Sequence, residues 1–205
     1  MESAERELDF VIVKNIGDLE TSVRRAEEEI DVRLNGEAWA TLKQSLGTDA
    51  WYFEDAEEPS DAWFAPRDWL ETDENGDLDA DPWFRLKPLD VKRGYHTWLA
   101  HYAAPKTDRE QMAIVWCWHR FYVDQYKAAA TKADRDLQTI RDIGFHQDGR
   151  ELFYPITFDV DALAEGFRHG DLKAALEPIT RAAELLKQAV EPFAKFRAKL
   201  RKQPR

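Results

Sequence analysis

The feature that most constrains the fold is the stretch 51–91, where aromatic side chains cluster, turn residues recur and no helical period persists. Ring-rich segments bounded by such turns are typical of strands. The predicted strands are residues 51–54, 62–70 and 82–89, joined by turns at 58–61 and 74–77. Because the acids of this stretch fall mostly in the turns, we expect a sheet whose rings face the core and whose carboxylates stay in water.

Helical periods occupy the segments on both sides of this stretch. Apolar residues that recur at steps of three and four predict one helix over 18–34, stopped at Asn35-Gly36, and a second over 37–46. Further helices are predicted over 124–142, over 159–168 with Asp159 as the N-cap, and from Asp171 onward.

Two segments fit more than one type of structure. Residues 10–13 suit either a short strand or the lead-in to the first helix. Residues 95–121 suit either a hairpin, with its turn at 105–108, or a helix with a capping box at Thr107 and Glu110. We favour the hairpin because the segment is rich in aromatic and β-branched residues.

These segments together predict an α+β fold with N-terminal helices, a central antiparallel Trp-rich sheet, and C-terminal helices packed on that sheet. We expect an α+β core domain at residues 1–158 and a C-terminal helical segment at 159–205. The order of the patterns along the chain, rather than any one motif, leads to this fold class.

The C-terminal segment carries an apolar seam from Leu172 to Phe193 that alternates steps of four and three. Such a seam either packs on the core of its own chain or forms a homodimer through residues 172–193. Pro178 and Pro192 should kink or restart the helix, so the first arrangement is favoured.

Charge and composition limit the classes of protein that this chain can belong to. The net charge is -11, and residues 49–81 carry 13 acids against one base. Nucleic acid is therefore not expected to bind the acidic half, since phosphate contacts need a positive surface. We expect a soluble cytoplasmic protein with no membrane partner. The longest apolar run, 112–118, is too short to span a bilayer, the lone Cys117 suits a reducing compartment, and the acidic start does not resemble a signal peptide.

The pairing of acids with rings suggests a non-catalytic binding or regulatory protein. Trp dominates the energetics of protein interfaces, and an acidic rim attracts a basic partner. The candidate anchors for a basic protein partner are Trp51, Trp63, Trp69 and Trp83. This hypothesis requires no cofactor and no metal ion.

An alternative is a Mg²⁺-dependent phosphodiesterase or nuclease. Asp90-Val91-Lys92 has the carboxylate-x-lysine form in which the acid holds the metal and the lysine polarises the attacking water or the phosphate. The further metal ligands would be Asp61 or Asp68 as the second acid and Glu20 as a third. The tripeptide is not specific, because residues 171–173 match it as well.

The remaining motifs point to structure rather than to chemistry. Residues 73–79 start like a calcium loop, but Leu78 stands where the loop needs Gly and Phe84 where it needs Glu. Cys117, between two Trp, is expected to be a buried and inert thiol. The spacing of His96, His101 and His119 favours no metal site.

Overall fold

A computed structural model describes residues 2–57, 59, 61–72, 76, 78–89, 97–103, 111–118 and 123–202. Its helices are α1 (Glu2–Arg25), α2 (Asp31–Leu46), α3 (Trp98–Ala103), α4 (Val123–Lys132), α5 (Asp134–Ile143), α6 (Val160–His169) and α7 (Glu177–Arg201). Its strands are β1 (Trp51–Glu54), β2 (Trp63–Pro66), β3 (Leu70–Thr72), β4 (Leu78–Ala80), β5 (Trp83–Pro88), β6 (Met112–Cys117), β7 (His146–Asp148) and β8 (Glu151–Pro155).

Six of the strands form one antiparallel sheet in the order β1-β2-β5-β6-β8-β7, while β3 and β4 form a separate pair. Strand β5 alternates strictly between buried and half-buried residues, with Phe84 and Leu86 turned to the core. Phe64 of β2 lies directly opposite Phe84 in the sheet register. The period of two thus turns Phe64 and Phe84 to the inner face of the sheet, as the sequence predicts, but places the rings of Trp63 and Trp83 on the opposite face.

Helix α7 covers the inner face of this sheet. The ring centroid of Phe193 lies 5.2 Å from that of Phe84 and 5.4 Å from that of Trp116. The ring of Phe196 lies 5.3 Å from that of Trp116. The predicted α+β fold, with an antiparallel Trp-rich sheet and C-terminal helices packed against it, is therefore confirmed. The division of the chain at residue 159 remains a prediction.

The apolar seam of the C-terminal segment faces the core of its own chain. Its buried members are Leu172, Leu176, Ile179, Ala183, Leu186 and Phe193. Pro178 lies in the first turn of α7, where a missing N–H costs nothing, and Pro192 lies inside a helix that continues to Arg201. A homodimer through 172–193 would have to use side chains that the core already holds.

Several predicted boundaries are wrong. Helix α2 runs through Asn35-Gly36 without a break. Gly36 keeps a negative φ there, instead of the left-handed conformation that a helix end would use. The predicted strand 62–70 is interrupted by a 3-10 turn at Arg67–Trp69. Of the two alternatives for residues 10–13, the helical one is confirmed, since they belong to α1.

The described parts of the segment 95–121, residues 97–103 and 111–118, contain one helix and one strand. Its second half forms β6, as expected of one arm of a hairpin, but residues 98–103 form helix α3. The predicted helix 124–142 is two helices, α4 and α5, that meet at Ala133. Asp159 is the predicted N-cap of α6, and its side chain accepts hydrogen bonds from the amides of Asp161 and Ala162.

Candidate binding cleft

A cleft of about 550 Å³ opens between α2, α3 and the segment that follows β1. One wall comes from Glu27, Asp31, Asn35 and Trp39, which recur at steps of four along the N-terminal helices and so share one face. The other lining residues are Val32, Gly36, Asp55, Ala56, Glu57, Pro59, Ala62, Leu86, Trp98 and Tyr102. Carboxylates and aromatic rings thus meet in one concave surface.

Asp31 joins the two helices that frame the cleft. Its Oδ2 accepts a hydrogen bond from the Trp98 amide and its Oδ1 accepts one from the Leu99 amide, both at 2.7 Å. One turn further along, the Tyr102 hydroxyl donates to Asn35 Oδ1 at 3.2 Å. Burial raises the pKa of Asp31, while the Leu99 and Trp98 amides oppose that rise. Asp31 therefore positions α3 and holds Trp98 and Tyr102 in the wall.

Asp55 fixes the orientation of the Trp39 ring. It accepts hydrogen bonds from Trp39 Nε1 at 2.5 Å and from Lys43 Nζ at 2.7 Å. These contacts hold the pKa of Asp55 below its ordinary value, the lysine contributing most and the indole next. The Trp39 ring also packs edge-on against Phe53 and Phe64, with centroids 5.6 and 5.8 Å away. The ring is thus held in place before any ligand arrives.

The charge of the cleft is negative. Four carboxylates line it, and none of its described lining residues is Lys or Arg. Asp31 is buried and already accepts two hydrogen bonds, whereas Glu27 and Glu57 are exposed. The two exposed glutamates therefore carry the charge that an incoming group meets first, and the half-buried rings of Trp39 and Trp98 supply apolar and π-faced surface beside them.

The tryptophans that the sequence suggested as anchors lie elsewhere. Trp51 and Trp69 are only 4% and 1% exposed, so they belong to the core and offer no surface to a partner. Trp63 and Trp83 are half-buried and project from the sheet face opposite Phe64 and Phe84. The Trp63 ring packs on Tyr52 at 5.3 Å. None of the four lines the cleft.

The residues of the alternative metal site are not brought together in the part of the chain that is described. Asp90 and Lys92 lie outside the described residues. Asp61 is exposed and pairs with Arg85 at 3.6 Å, Asp68 is exposed beside β2, and Glu20 is exposed on α1. Within the described ranges, no three His, Cys, Asp or Glu side chains are arranged to hold a metal ion.

The predicted inert thiol is half-buried rather than fully buried. Burial raises the pKa of Cys117 to about 11, so its reactive thiolate is scarce near neutral pH. His101 is buried on α3, while His96 and His119 lie outside the described residues.

The residues that form the cleft are not among the predicted binding residues, because all the predicted anchors come from the ring-rich stretch 51–91. A signal was present: Asp31, Asn35 and Trp39 recur every four residues, and so do Trp98 and Tyr102. Such polar and aromatic stripes mark one face of a helix. To predict that these two helix faces meet, however, one has to know that residues 98–103 form a helix, whereas the sequence favours a hairpin there.

Among the described helices, none combines the length and the hydropathy that a membrane-spanning segment requires. Comparisons with models of protein families, with curated proteins and with solved structures give no match for this chain.

Proposed function

We propose that this chain is a non-catalytic binding protein whose cleft receives an arginine side chain of a basic protein partner. One observation carries the proposal: acidic residues and aromatic rings line the same concave surface of about 550 Å³. Ligand sites in proteins typically measure roughly 300–1,000 Å³. The cleft thus has room for one long side chain together with part of its backbone.

Arginine matches the lining better than an apolar side chain does. Its guanidinium is planar, stacks on aromatic faces and donates to carboxylates, and its three-carbon stem packs on apolar surface. Trp39 and Trp98 offer the rings, and Glu27 and Glu57 offer exposed carboxylates at the same cleft. A cation that leaves water here finds both a charge partner and a π face.

The wider charge distribution supports the same kind of partner. Residues 49–81 carry 13 acids against one base, and Asp55 and Glu57 of the cleft belong to this segment. A concentrated negative field raises the association rate of a basic partner and weakens as salt is added. The segment therefore steers the partner, while the rings of the cleft hold it.

The test uses two short peptides that differ only at the central residue. One carries arginine and the other carries citrulline, which has nearly the same shape without the charge. Isothermal titration into the full chain should give an affinity at least about tenfold higher for the arginine peptide, since a desolvated ion pair and a cation–π contact are both lost with citrulline. The difference should shrink as salt is raised.

Two matched variants locate the binding. Glu27→Gln/Glu57→Gln removes two charges from the cleft, and Glu28→Gln/Asp49→Asn removes two exposed charges from outside its lining. The first variant should abolish most of the preference for arginine and the second should keep it. Equal affinity for both peptides, or an equal loss in the two variants, would rule out the proposal.

A further inference from the structure

A second cavity, of about 360 Å³, opens on the face of the sheet that is turned away from the aromatic core. Val115 and Cys117 of β6 belong to the small apolar cluster on that outer face. Strands β5, β6 and β8 all contribute to the lining, and so does the turn between β7 and β8. The lining residues used below are Lys87, Val115, Cys117, Trp118, Arg150 and Glu151.

Two cations without acid partners meet at this cavity. Lys87 is half-buried and Arg150 is exposed, and neither has a carboxylate partner among the residues that the structure describes. Glu151 is the one acid in the described lining. Arg85 lies two positions before Lys87 on the same strand but already pairs with Asp61 at 3.6 Å. The described lining is therefore positive, although the chain as a whole has a net charge of -11.

Ring packing sets the position of the arginine. The guanidinium carbon of Arg150 lies 5.5 Å from the centroid of the Trp118 ring. That ring stacks on Tyr126, with centroids 5.6 Å apart and planes 4° apart, and the Tyr126 hydroxyl accepts a hydrogen bond from Gln147 Nε2 at 3.2 Å. The contact with the ring orients Arg150 without using its N–H donors, which stay available to a ligand.

We propose that this cavity binds a small organic anion, whose carboxylate or phosphate group contacts Lys87 and Arg150 and whose apolar body lies on Val115 and Cys117. Arginine donates to an oxyanion through a planar fork, and lysine adds a point charge. A half-buried cation is costly without a partner, so a bound anion offsets that cost. The cavity is several times larger than an oxyanion alone, since one water molecule occupies about 30 Å³, and the excess leaves room for the body.

Cys117 gives a direct readout because it lies in the cavity and is the single cysteine of the chain. Its alkylation by the uncharged reagent iodoacetamide, followed by mass spectrometry, should slow when a ligand fills the cavity. Burial raises the pKa of Cys117, while Lys87 is the largest influence that lowers it. Substitution of Lys87 therefore changes the intrinsic rate, and rates with and without ligand must be compared within the same variant.

The probes are benzoate and benzamide, which have nearly the same shape but differ in charge, together with phenyl phosphate. Benzoate should give half-maximal protection of Cys117 at on the order of 1 mM, an affinity typical of so small a ligand. Benzamide at the same concentration should protect much less, and sodium chloride at the same ionic strength should not protect. Phenyl phosphate separates the two sources of the anion, because the probe that protects at the lower concentration carries the preferred group.

Matched variants locate the binding. Lys87→Gln/Arg150→Gln should raise the half-protecting concentration at least about tenfold, and Arg150→Lys alone should raise it less than Arg150→Gln does. Lys173→Gln/Arg135→Gln removes two exposed cations from outside the cavity and should leave the concentration unchanged. Shifts of the Cys117 amide resonance on addition of benzoate provide a second measurement that does not require the thiol to react.

Three results would overturn the proposal. The first is the absence of both protection and amide shifts with either anion at about 10 mM. The second is equal protection by benzoate and benzamide, and the third is an equal loss of protection in the two double variants. None of these results depends on the cleft binding arginine, because the cavity and the cleft share no described lining residue.

Discussion

At the scale of single residues, Asp31 and Asp55 line the same cleft but have different roles. Burial raises the pKa of Asp31, whose carboxylate is occupied by the amides of Trp98 and Leu99. The ammonium of Lys43 and the Trp39 indole lower the pKa of Asp55. Asp31 thus serves to position α3, and Asp55 stays ionised and keeps Trp39 oriented.

The shifted pKa of Asp55 leads to a prediction for Lys43→Met. This variant removes the largest cause of the shift, so the pKa of Asp55 should rise toward the ordinary value of about 3.9. Titration of the Asp55 carboxyl carbon by nuclear magnetic resonance measures the change, and Lys187→Met, which breaks the Lys187–Glu184 pair elsewhere, is the control. An Asp55 pKa that is the same in both variants would show that Lys43 does not hold it.

The sign of the associated stability change follows from the lowered pKa. A carboxyl group whose pKa is lower in the folded chain than in the unfolded chain contributes stability above the unfolded pKa of about 3.9. That contribution is lost as the pH falls through the folded-state pKa. The wild type should therefore lose more stability than Lys43→Met on acidification below about pH 4.

At the scale of elements, the N-terminal helices show where sequence patterns succeed and where they fail. The periodicity over 18–34 and 37–46 lies within helices, but the expected stop at Asn35-Gly36 does not exist. Glycine permits a left-handed stop without requiring one, and the burial of Leu34 and Ala38 on either side carries the helix through. Local residue type therefore predicts the element but not its end.

Gly36 and Gly144 make a matched pair that tests this point. A Cβ at Gly36 meets nothing within 4 Å, so Gly36→Ala should raise the free energy of unfolding by about 0.5–1 kcal/mol. Gly144 ends α5 with φ +118°, and a Cβ there would lie 3.3 Å from Tyr154, so Gly144→Ala should lower that free energy by at least about 1 kcal/mol. Urea unfolding measures both changes in the free energy of unfolding. If Gly36→Ala lowered that free energy, the result would favour the predicted helix end at Asn35-Gly36.

Short elements were harder to predict than long ones for a physical reason. Strand β6 and helix α3 come from neighbouring segments of similar aromatic and apolar composition. Helix α3 has only six residues, and its first amides donate hydrogen bonds to the carboxylate of Asp31. Asp31 lies 67 positions away from Trp98 in the sequence. No pattern within 95–121 contains that contact, so the cleft could not be derived from the sequence alone.

At the scale of the whole molecule, one aromatic core joins the sheet to the C-terminal helix. The Phe193 ring lies within 5.5 Å of the rings of Phe84, Trp116 and Phe145. The apolar seam 172–193 and the ring-rich strands predict that the C-terminal helix packs on the sheet. They do not predict that Trp51 and Trp69 are buried in the same core, because burial depends on packing between distant segments.

Phe193→Ala should therefore destabilise the whole chain. Removing a fully buried phenylalanine costs about 3–5 kcal/mol of unfolding free energy, through lost burial and the cavity that remains. Phe10→Ala is the matched control, since Phe10 is 59% exposed and its loss should change stability by less than about 0.5 kcal/mol. A small effect at Phe193 would mean that α7 is not part of the common core.

The proposed binding of a guanidinium in the cleft between α2 and α3 can be followed through the indole N–H resonances of the tryptophans. Trp39→Phe and Trp98→Phe assign the two signals in a ¹⁵N-labelled sample. Adding the arginine peptide should shift the signals of Trp39 and Trp98 while those of buried Trp51 and Trp69 stay in place, and the same concentration of the citrulline peptide should shift them much less. Unmoved Trp39 and Trp98 signals, or shifts that are equal for both peptides, would show that the cleft does not recognise the guanidinium.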